Sequence, residues 1–384
     1  MISRGVFLLR KEMQRTKHHV ACASIVALIY GAFSSANAWA QDSSAAAQKI
    51  GTERLTGMPA AKRTVIDESG RKVEVPARVR RIVTLAPNLA EIVYALGAQD
   101  RLVGVSNFTD YPAEAKSKPS IGMPVNPSLE AIVGARPDLV LATAVNTWET
   151  VNSLARLGIA VYTTDPHTVA GMLRSITDIG DVIGASEQAQ ALVQKLQARL
   201  DSLKAKLANA SPVPALFVVW DHPLQSVGEN TFIADALRWA GARSVIRTKQ
   251  NWPLVSMEEI VKLNPEYIIY AENHMGADSG SDSAKLANVP AAIARHLNQL
   301  RADETWRQLP AVRAGHIAVV SDEIDVPAPG LVDVIEQLAQ ELHPEIFQKQ
   351  NQSSFDNFLQ HRRNAPGFPN ARQSFSPEAA SCAR

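Results

Sequence analysis

The sequence lacks most of the features that point to a function directly. Of its 384 residues only two are cysteine, Cys22 and Cys382, too few for a disulfide framework or a cysteine-built metal site. Neither sign of charge is in excess. With 39 basic against 38 acidic side chains the net charge is +1, which argues against a protein held to nucleic acid by bulk positive charge. There is no G-x-x-x-x-G-K-[ST], no G-x-S-x-G and no H-E-x-x-H, so the sequence carries none of the phosphate-loop, nucleophile-elbow or zincin signatures. The apolar run ACASIVALIYGAF at residues 21–33 is too short to span a bilayer as a permanent helix. What is present is a globular composition, 46% hydrophobic and 20% charged, on a chain long enough for one large or two modest domains.

The totals average over unlike segments. Arg4, Arg10, Lys11, Arg15 and Lys17 precede the apolar run, and Ala38 and Ala40 follow it in an A-x-A arrangement, the pattern of a cleavable export signal over residues 1–40. Translation starting at Met13 leaves a signal of ordinary length. Cys22 leaves with the signal, and the mature chain keeps Cys382 alone, with no intrachain disulfide. Residues 349–384 are rich in Asn, Gln, Ser and Pro and read as a disordered tail. Residues 41–62 read as a flexible leader. Between signal and tail, residues 41–348 carry 29 bases against 35 acids, a net of −6.

Inside that acidic body lies an internal repeat. LEAIVGARPDLVLA (129–142) and MEEIVKLNPEYIIYA (257–271) align without a gap, placing Glu130 on Glu258, Ile132 on Ile260 and Pro137 on Pro265. In each copy a serine (Ser128, Ser256) caps a short helix, an acid suits the helix dipole, and a proline stops it. An apolar run follows, as in a strand buried on both faces of a parallel sheet. The flanks match too. RIVTLAP, NLAEIVYALGA and RLVGVS precede the first copy; ALFVVW, TFIADALRWAGA and RSVIRT precede the second. Each half also holds an aromatic–proline pair, Tyr111-Pro112 and Trp252-Pro253. The expected fold is α/β, with two Rossmann-like lobes of parallel-rich sheets, residues 63–185 and 209–348. Ligands of such folds bind at strand carboxyl ends and lobe boundaries. Residues 186–208, capped by Ser186 and free of Gly and Pro, form the helix that joins the lobes; the alternative, a coiled-coil dimer arm, needs a longer apolar stripe. A single stiff helix of this kind implies small hinge motions.

On these residues the chain resembles a family. DESGRKVEVPARVRRIVTLAPNLAEIVYALGAQDRLVGVSNFTDYP, NWPLVSMEEIV and the WxxLPAVRAGHI stretch from Trp306 to Ile317 are similar to the helical-backbone (class III) periplasmic substrate-binding proteins of ABC importers, receptors for cobalamin, haem and iron–siderophores. The DYP triplet and the WPxVS segment lean toward the cobalamin receptors. The resemblance implies a non-catalytic periplasmic receptor. It captures a metal chelate, cobalamin before haem or a ferric siderophore, and delivers it to an inner-membrane ABC permease. It implies no cofactor and no resident metal; with no nucleic-acid partner and no membrane span after signal cleavage, the receptor acts as a monomer. A periplasmic enzyme or sensor on the same fold is the alternative, disfavoured by the lack of a nucleophile–base or metal-ligand set.

Tyr111 and Trp252 sit where the family places pocket aromatics. Trp148, on a polar run after the strand LVLA, and Trp220, at the end of ALFVVW, are further candidates for the pocket wall. Asn88 follows the first strand and either lines the cleft or caps a helix. Pro124 and Thr143 stand near places where cobalamin receptors carry tryptophan, and Ala90 replaces the common threonine before Glu91. Tyr111 stands where haem receptors carry a metal ligand, within T-S-x-Y-P; the N-F-T-D-Y-P found here leans away from haem. Glu130 and Glu258, one acid per repeat, match the pair that docks onto transporter arginines in the family, a role suited to rim charges. The alternative is that both serve only their helix dipoles.

Overall fold

The computed structural model describes residues 61–272 and 289–347, with side chains described for 61–272 and 294–347. The export signal, all of the leader but its last two residues, the tail, both cysteines and the DSGSDS stretch lie outside the described residues. Lys62, assigned above to the leader, already belongs to β1 (Lys62–Ile66), which pairs antiparallel with β2 (Lys72–Pro76). The turn between them closes on Asp67, whose carboxylate accepts from Ser69, from the Arg71 backbone and from the Arg71 guanidinium.

The first lobe follows in β3 (Ile82–Thr84), α1 (Pro87–Ala95), β4 (Leu102–Val105), α2 (Leu129–Gly134), β5 (Leu139–Thr143), α3 (Trp148–Arg156) and β6 (Ala160–Thr164). Its four strands are parallel in the order β4-β3-β5-β6. Helices α4 (Val169–Ile183) and α5 (Ser186–Lys206) come next. The second lobe then runs through β7 (Val213–Val218), the hairpin β8 (Trp220–Asp221) and β9 (Leu224–Gln225), α6 (Phe232–Trp239), β10 (Ala242–Ser244), α7 (Met257–Leu263), β11 (Tyr267–Ala271), α8 (Val289–Ala302), α9 (Pro310–Ala314), β12 (Ile317–Val320), α10 (Leu331–Leu342) and α11 (Pro344–Phe347). Its parallel sheet, β10-β7-β11-β12, repeats the strand order of the first.

The repeat seen in the sequence extends to the backbone. β5 and β11 occupy 139–143 and 267–271, and the caps are alike: Ser128 accepts from Ala131 N–H and Ser256 from Glu259 N–H, each at 3.1 Å. The short helices end at Gly134 and Leu263, three and two residues before the prolines expected to end them. Arg136 and Asn264, at equivalent positions, both turn left-handed with φ of 45°. Asp138 N–H then reaches the Arg81 carbonyl and Glu266 N–H the Pro214 carbonyl, both at 2.8 Å.

Both strands are buried along their whole length, and apolar but for Thr143, because both faces of each sheet are covered. In β5, Leu139 and Leu141 join the central core while Val140 and Ala142 join an outer one; in β11, Ile269 and Ala271 face the central core and Ile268 and Tyr270 the outer. The central core is continuous, from Ile82 and Leu139 through Ile176, Ile179, Leu196 and Leu200 to Phe217, Leu237, Ile269 and Leu338. Parting the lobes would open it, at about 25 cal/mol for each Å² of apolar surface exposed, so the lobes are held close to one arrangement.

The connection itself differs in detail from a lone helix. α5 is the covalent link, but α4 lies against it as a partner. The start of α4 touches the second lobe, where Val169 N–H donates to the Asp235 carboxylate at 2.8 Å, and its end accepts from Arg63 and Arg101 in the first. α5 returns. Arg199 on it pairs with Glu336 and Asp333 of α10, and the Lys206 ammonium lies over the Phe347 ring. The tight reversal at Gly184 (φ 73°) brings the helices so close that a Cβ on Gly180 would stand 2.3 Å from the Ala189 Cβ. Ser186 does not cap α5 as expected: Ala185 holds the cap position without a side-chain bond, and Ser186 is the first helical residue.

A candidate ligand cleft at two sheet edges

In a parallel sheet every strand carboxyl end lies on one edge, and the loops leaving that edge are free to diverge. The four aromatic candidates all sit on such loops. Tyr111 follows β4, Trp148 follows β5, Trp220 follows β7 and Trp252 follows β10. All four rings are exposed: Tyr111 by 59%, Trp148 by 62%, Trp220 by 42% and Trp252 by 47%. Bulky aromatics left this open are unusual in a protein that has a core to bury them. Phe108, Val145 and Leu254, on the same loops, are exposed as well. Sequence reasoning passed over these three, although each is an apolar residue close in sequence to one of the aromatic candidates.

Asn88 departs from both of its readings. It is 5% exposed, and the cap of α1 is Ala86, because Pro87 takes the first helical turn, the position where proline's missing N–H costs nothing. The polar run that carries Trp148 is helical: Trp148 opens α3, with Thr147 as its cap. One face of its ring lies 5.5 Å from the Arg71 guanidinium. Asn146 fixes the preceding turn, accepting from Thr143 N–H and donating to the Pro124 carbonyl. Pro124 and Thr143 are thus the clamp that aims Trp148.

Trp220 does not end β7. The strand stops at Val218, and Trp220 begins the β8–β9 hairpin, its indole N–H donating to the His222 carbonyl at 2.9 Å. β9 in turn bridges to Leu254, with Ser226 N–H on the Pro253 carbonyl and Val255 N–H on the Leu224 carbonyl, each at 3.0 Å. Trp220 and Trp252 therefore ride on one small three-stranded ribbon.

The two sheet edges meet through a buried carboxylate. Glu91, on α1, accepts from Gly330 N–H at 2.8 Å, the residue that precedes α10 in the other lobe. Burial, then Glu323 and Asp333 nearby, push the Glu91 carboxyl up to about 7, while the Gly330 bond works the other way. The same acids reach Tyr111. Its phenol is raised above its ordinary value by burial first, then by Glu91, Glu323, Asp333 and Glu114. Tyr111 thus stands at the lobe boundary, over an acidic floor. Glu130 and Glu258 sit apart from this floor, exposed in the first turns of α2 and α7. Among the described residues no group of three or more His, Cys, Asp or Glu could hold a metal ion, and no helix is long and apolar enough to cross a membrane.

Comparison with known proteins places this architecture. An uncharacterised ABC transporter substrate-binding lipoprotein of Bacillus subtilis is 28% identical over 74% of this chain and 87% of its own length. A vitamin B12-binding protein of Vibrio campbellii is 27% identical over 61% of this chain and 85% of its own. The periplasmic haem-binding protein BhuT, solved with two haems, superposes with a TM-score of 0.60 at 24% identity, over 70% of this chain and all of that one. These relatives are substrate-binding transport proteins. Residues 82–323 match the periplasmic binding protein family, and the chain belongs to that family.

Proposed function

We propose that this protein is a periplasmic receptor that captures cobalamin between its lobes and hands it to an inner-membrane ABC permease, acting as a monomer and without a cofactor of its own. The observation that carries this reading is the set of four exposed aromatic rings on the carboxyl edges of both sheets. Flat rings on opposite walls suit a broad planar macrocycle. Tyr111 and Trp252 are the principal contacts, with Trp148 and Trp220 completing the walls. Asn88, buried behind the floor, acts only through α1.

Haem is the nearest competitor, and Tyr111 argues against it. The N-F-T-D-Y-P around it differs from the T-S-x-Y-P of haem receptors, and burial with the acids nearby raises its phenol, which disfavours the phenolate a ferric haem would take. A cobalamin brings its own axial ligands and asks of Tyr111 only a ring face. Titrating the mature protein with cyanocobalamin is expected to quench tryptophan fluorescence to a one-to-one endpoint. Absence of quenching, with a Soret shift on adding hemin, would give the site to haem instead.

The surface acids complete the reading. Glu130 and Glu258 occupy equivalent, exposed helix starts in the two lobes, so a symmetric basic surface on a permease meets both at once. The double variant Glu130→Ala, Glu258→Ala is expected to bind cyanocobalamin as the parent does and to lose most of its binding to the reconstituted permease. Loss of ligand binding instead would remove the docking role.

A further inference from the structure

Behind the cleft wall lies a buried polar cluster that the ligand-binding reading does not use. Asp221 is the second residue of β8, next to Trp220. Its carboxylate accepts from the Tyr270 hydroxyl at 3.2 Å, and its other oxygen lies 3.6 Å from His296 Nε2. Tyr270 is fully buried in β11; His296, on α8, is 9% exposed and packs edge-on against the Tyr270 ring with centroids 4.8 Å apart. A hydroxyl placed in the outer core needs a partner, because a buried polar group left unpaired is costly. Here that partner is a carboxylate on the hairpin carrying Trp220.

We propose that Asp221 is the positioning residue of the cleft's second wall, tying the ribbon that bears Trp220 and Trp252 to Tyr270 in the sheet and His296 on α8. The proposal rests on the ligand-binding reading for its consequence but not for its geometry. β8 and β9 are two residues each, too short to hold a fixed angle through their own ladder. The tether supplies the missing constraint on one side of the ribbon, as the Ser226–Pro253 and Val255–Leu224 bonds do on the other. Burial raises the Asp221 carboxyl and lowers His296, and their opposite charges offset this only in part, so His296 Nε2 packs beside the carboxylate at 3.6 Å without a hydrogen bond and Tyr270 carries the tether. His222 on the hairpin also faces Asp221, and Asp303, beyond α8, faces His222.

The test uses the full mature chain, with each variant made with and without Trp220→Phe so that the difference isolates the Trp220 signal. Asp221→Ala is expected to raise acrylamide quenching of Trp220 in the ligand-free protein. It should also weaken cyanocobalamin binding about tenfold, the worth of one hydrogen bond to a charged group. Asp221→Asn keeps an acceptor for the Tyr270 hydroxyl and is expected to restore both values. Tyr270→Phe deletes one hydroxyl with little change of shape and decides the matter where Asp221→Ala does not fold. If the parent protein binds no cyanocobalamin, the ligand reading fails, and the ligand-free quenching still tests the tether. Unchanged Trp220 quenching in both Asp221→Ala and Tyr270→Phe overturns the proposal, as does failure of Asp221→Asn to restore what Asp221→Ala loses.

Discussion

Gly228→Ala is expected to lower the melting temperature by roughly 8 °C and to abolish high-affinity ligand binding. Gly228 lies just past β9, where its N–H donates to the Asn251 carbonyl at 3.0 Å and the next N–H, of Glu229, to Thr248 at 2.9 Å. These bonds draw the 248–251 segment in so far that a Cβ on Gly228 would stand 1.9 Å from the Gln250 carbonyl oxygen and 2.9 Å from that of Thr248. Both obstacles are backbone, so no rotamer change relieves them, and a forced shift of this kind costs about 3 kcal/mol. The segment that must move leads directly into Trp252. Gly134→Ala is the control: it ends α2 with nothing within 4 Å of the added methyl, and alanine is the better helix former. Thermal unfolding and cyanocobalamin titration of the two variants check the pair. Equal stability of Gly228→Ala and the parent would mean the ribbon is not held as tightly as these distances require.

The sequence disclosed the fold wherever the determinants are local or repeated. Ser128 and Ser256, the apolar runs after Pro137 and Pro265, and the unbroken helix from Ser186 each specify an element through neighbouring residues, and duplication specified the second lobe from the first. Local rules misled where one competed with another. Asn88 looks like a helix cap, but Pro87 claims the first turn and moves the cap to Ala86. ALFVVW reads as one strand because it is apolar throughout, yet Val219 N–H turns to the Gln225 carbonyl and starts a hairpin instead. The candidate aromatics were legible as bulky rings in loops. What holds them was not. Tyr270 and Asp221 are 49 positions apart, and Glu91 and Gly330 are 239 apart. The first pair exists only once β11 lies beside β7 and the second only once the two lobes meet, and nothing in either local sequence announces the partner.

Glu91→Gln is expected to stabilise the protein at pH 8 and leave it unchanged near pH 4, reversing the usual cost of altering a buried polar residue. The Glu91 carboxyl titrates at about 7 in the folded protein against a reference of 4.5. Between those values the folded state holds a proton that the unfolded state has lost, so stability falls as pH rises through this window. Above pH 7 the ionised group costs the fold about 3 kcal/mol. The cost arises because ionisation places a charge out of water and beside Glu323 and Asp333, and the single N–H of Gly330 does not compensate it. Glutamine keeps an oxygen for that N–H and has no charge to acquire, so the variant's stability should not fall across this window on account of residue 91. Urea unfolding at pH 4, 6 and 8 reads the difference directly, with the gap between variant and parent opening from near zero to its full size. A gap of the same size at all three values would show that the carboxyl is not titrating at the lobe boundary. A variant weaker than the parent at pH 8 would show that the charge on Glu91, drawn to the start of α10, holds the lobes together rather than straining them.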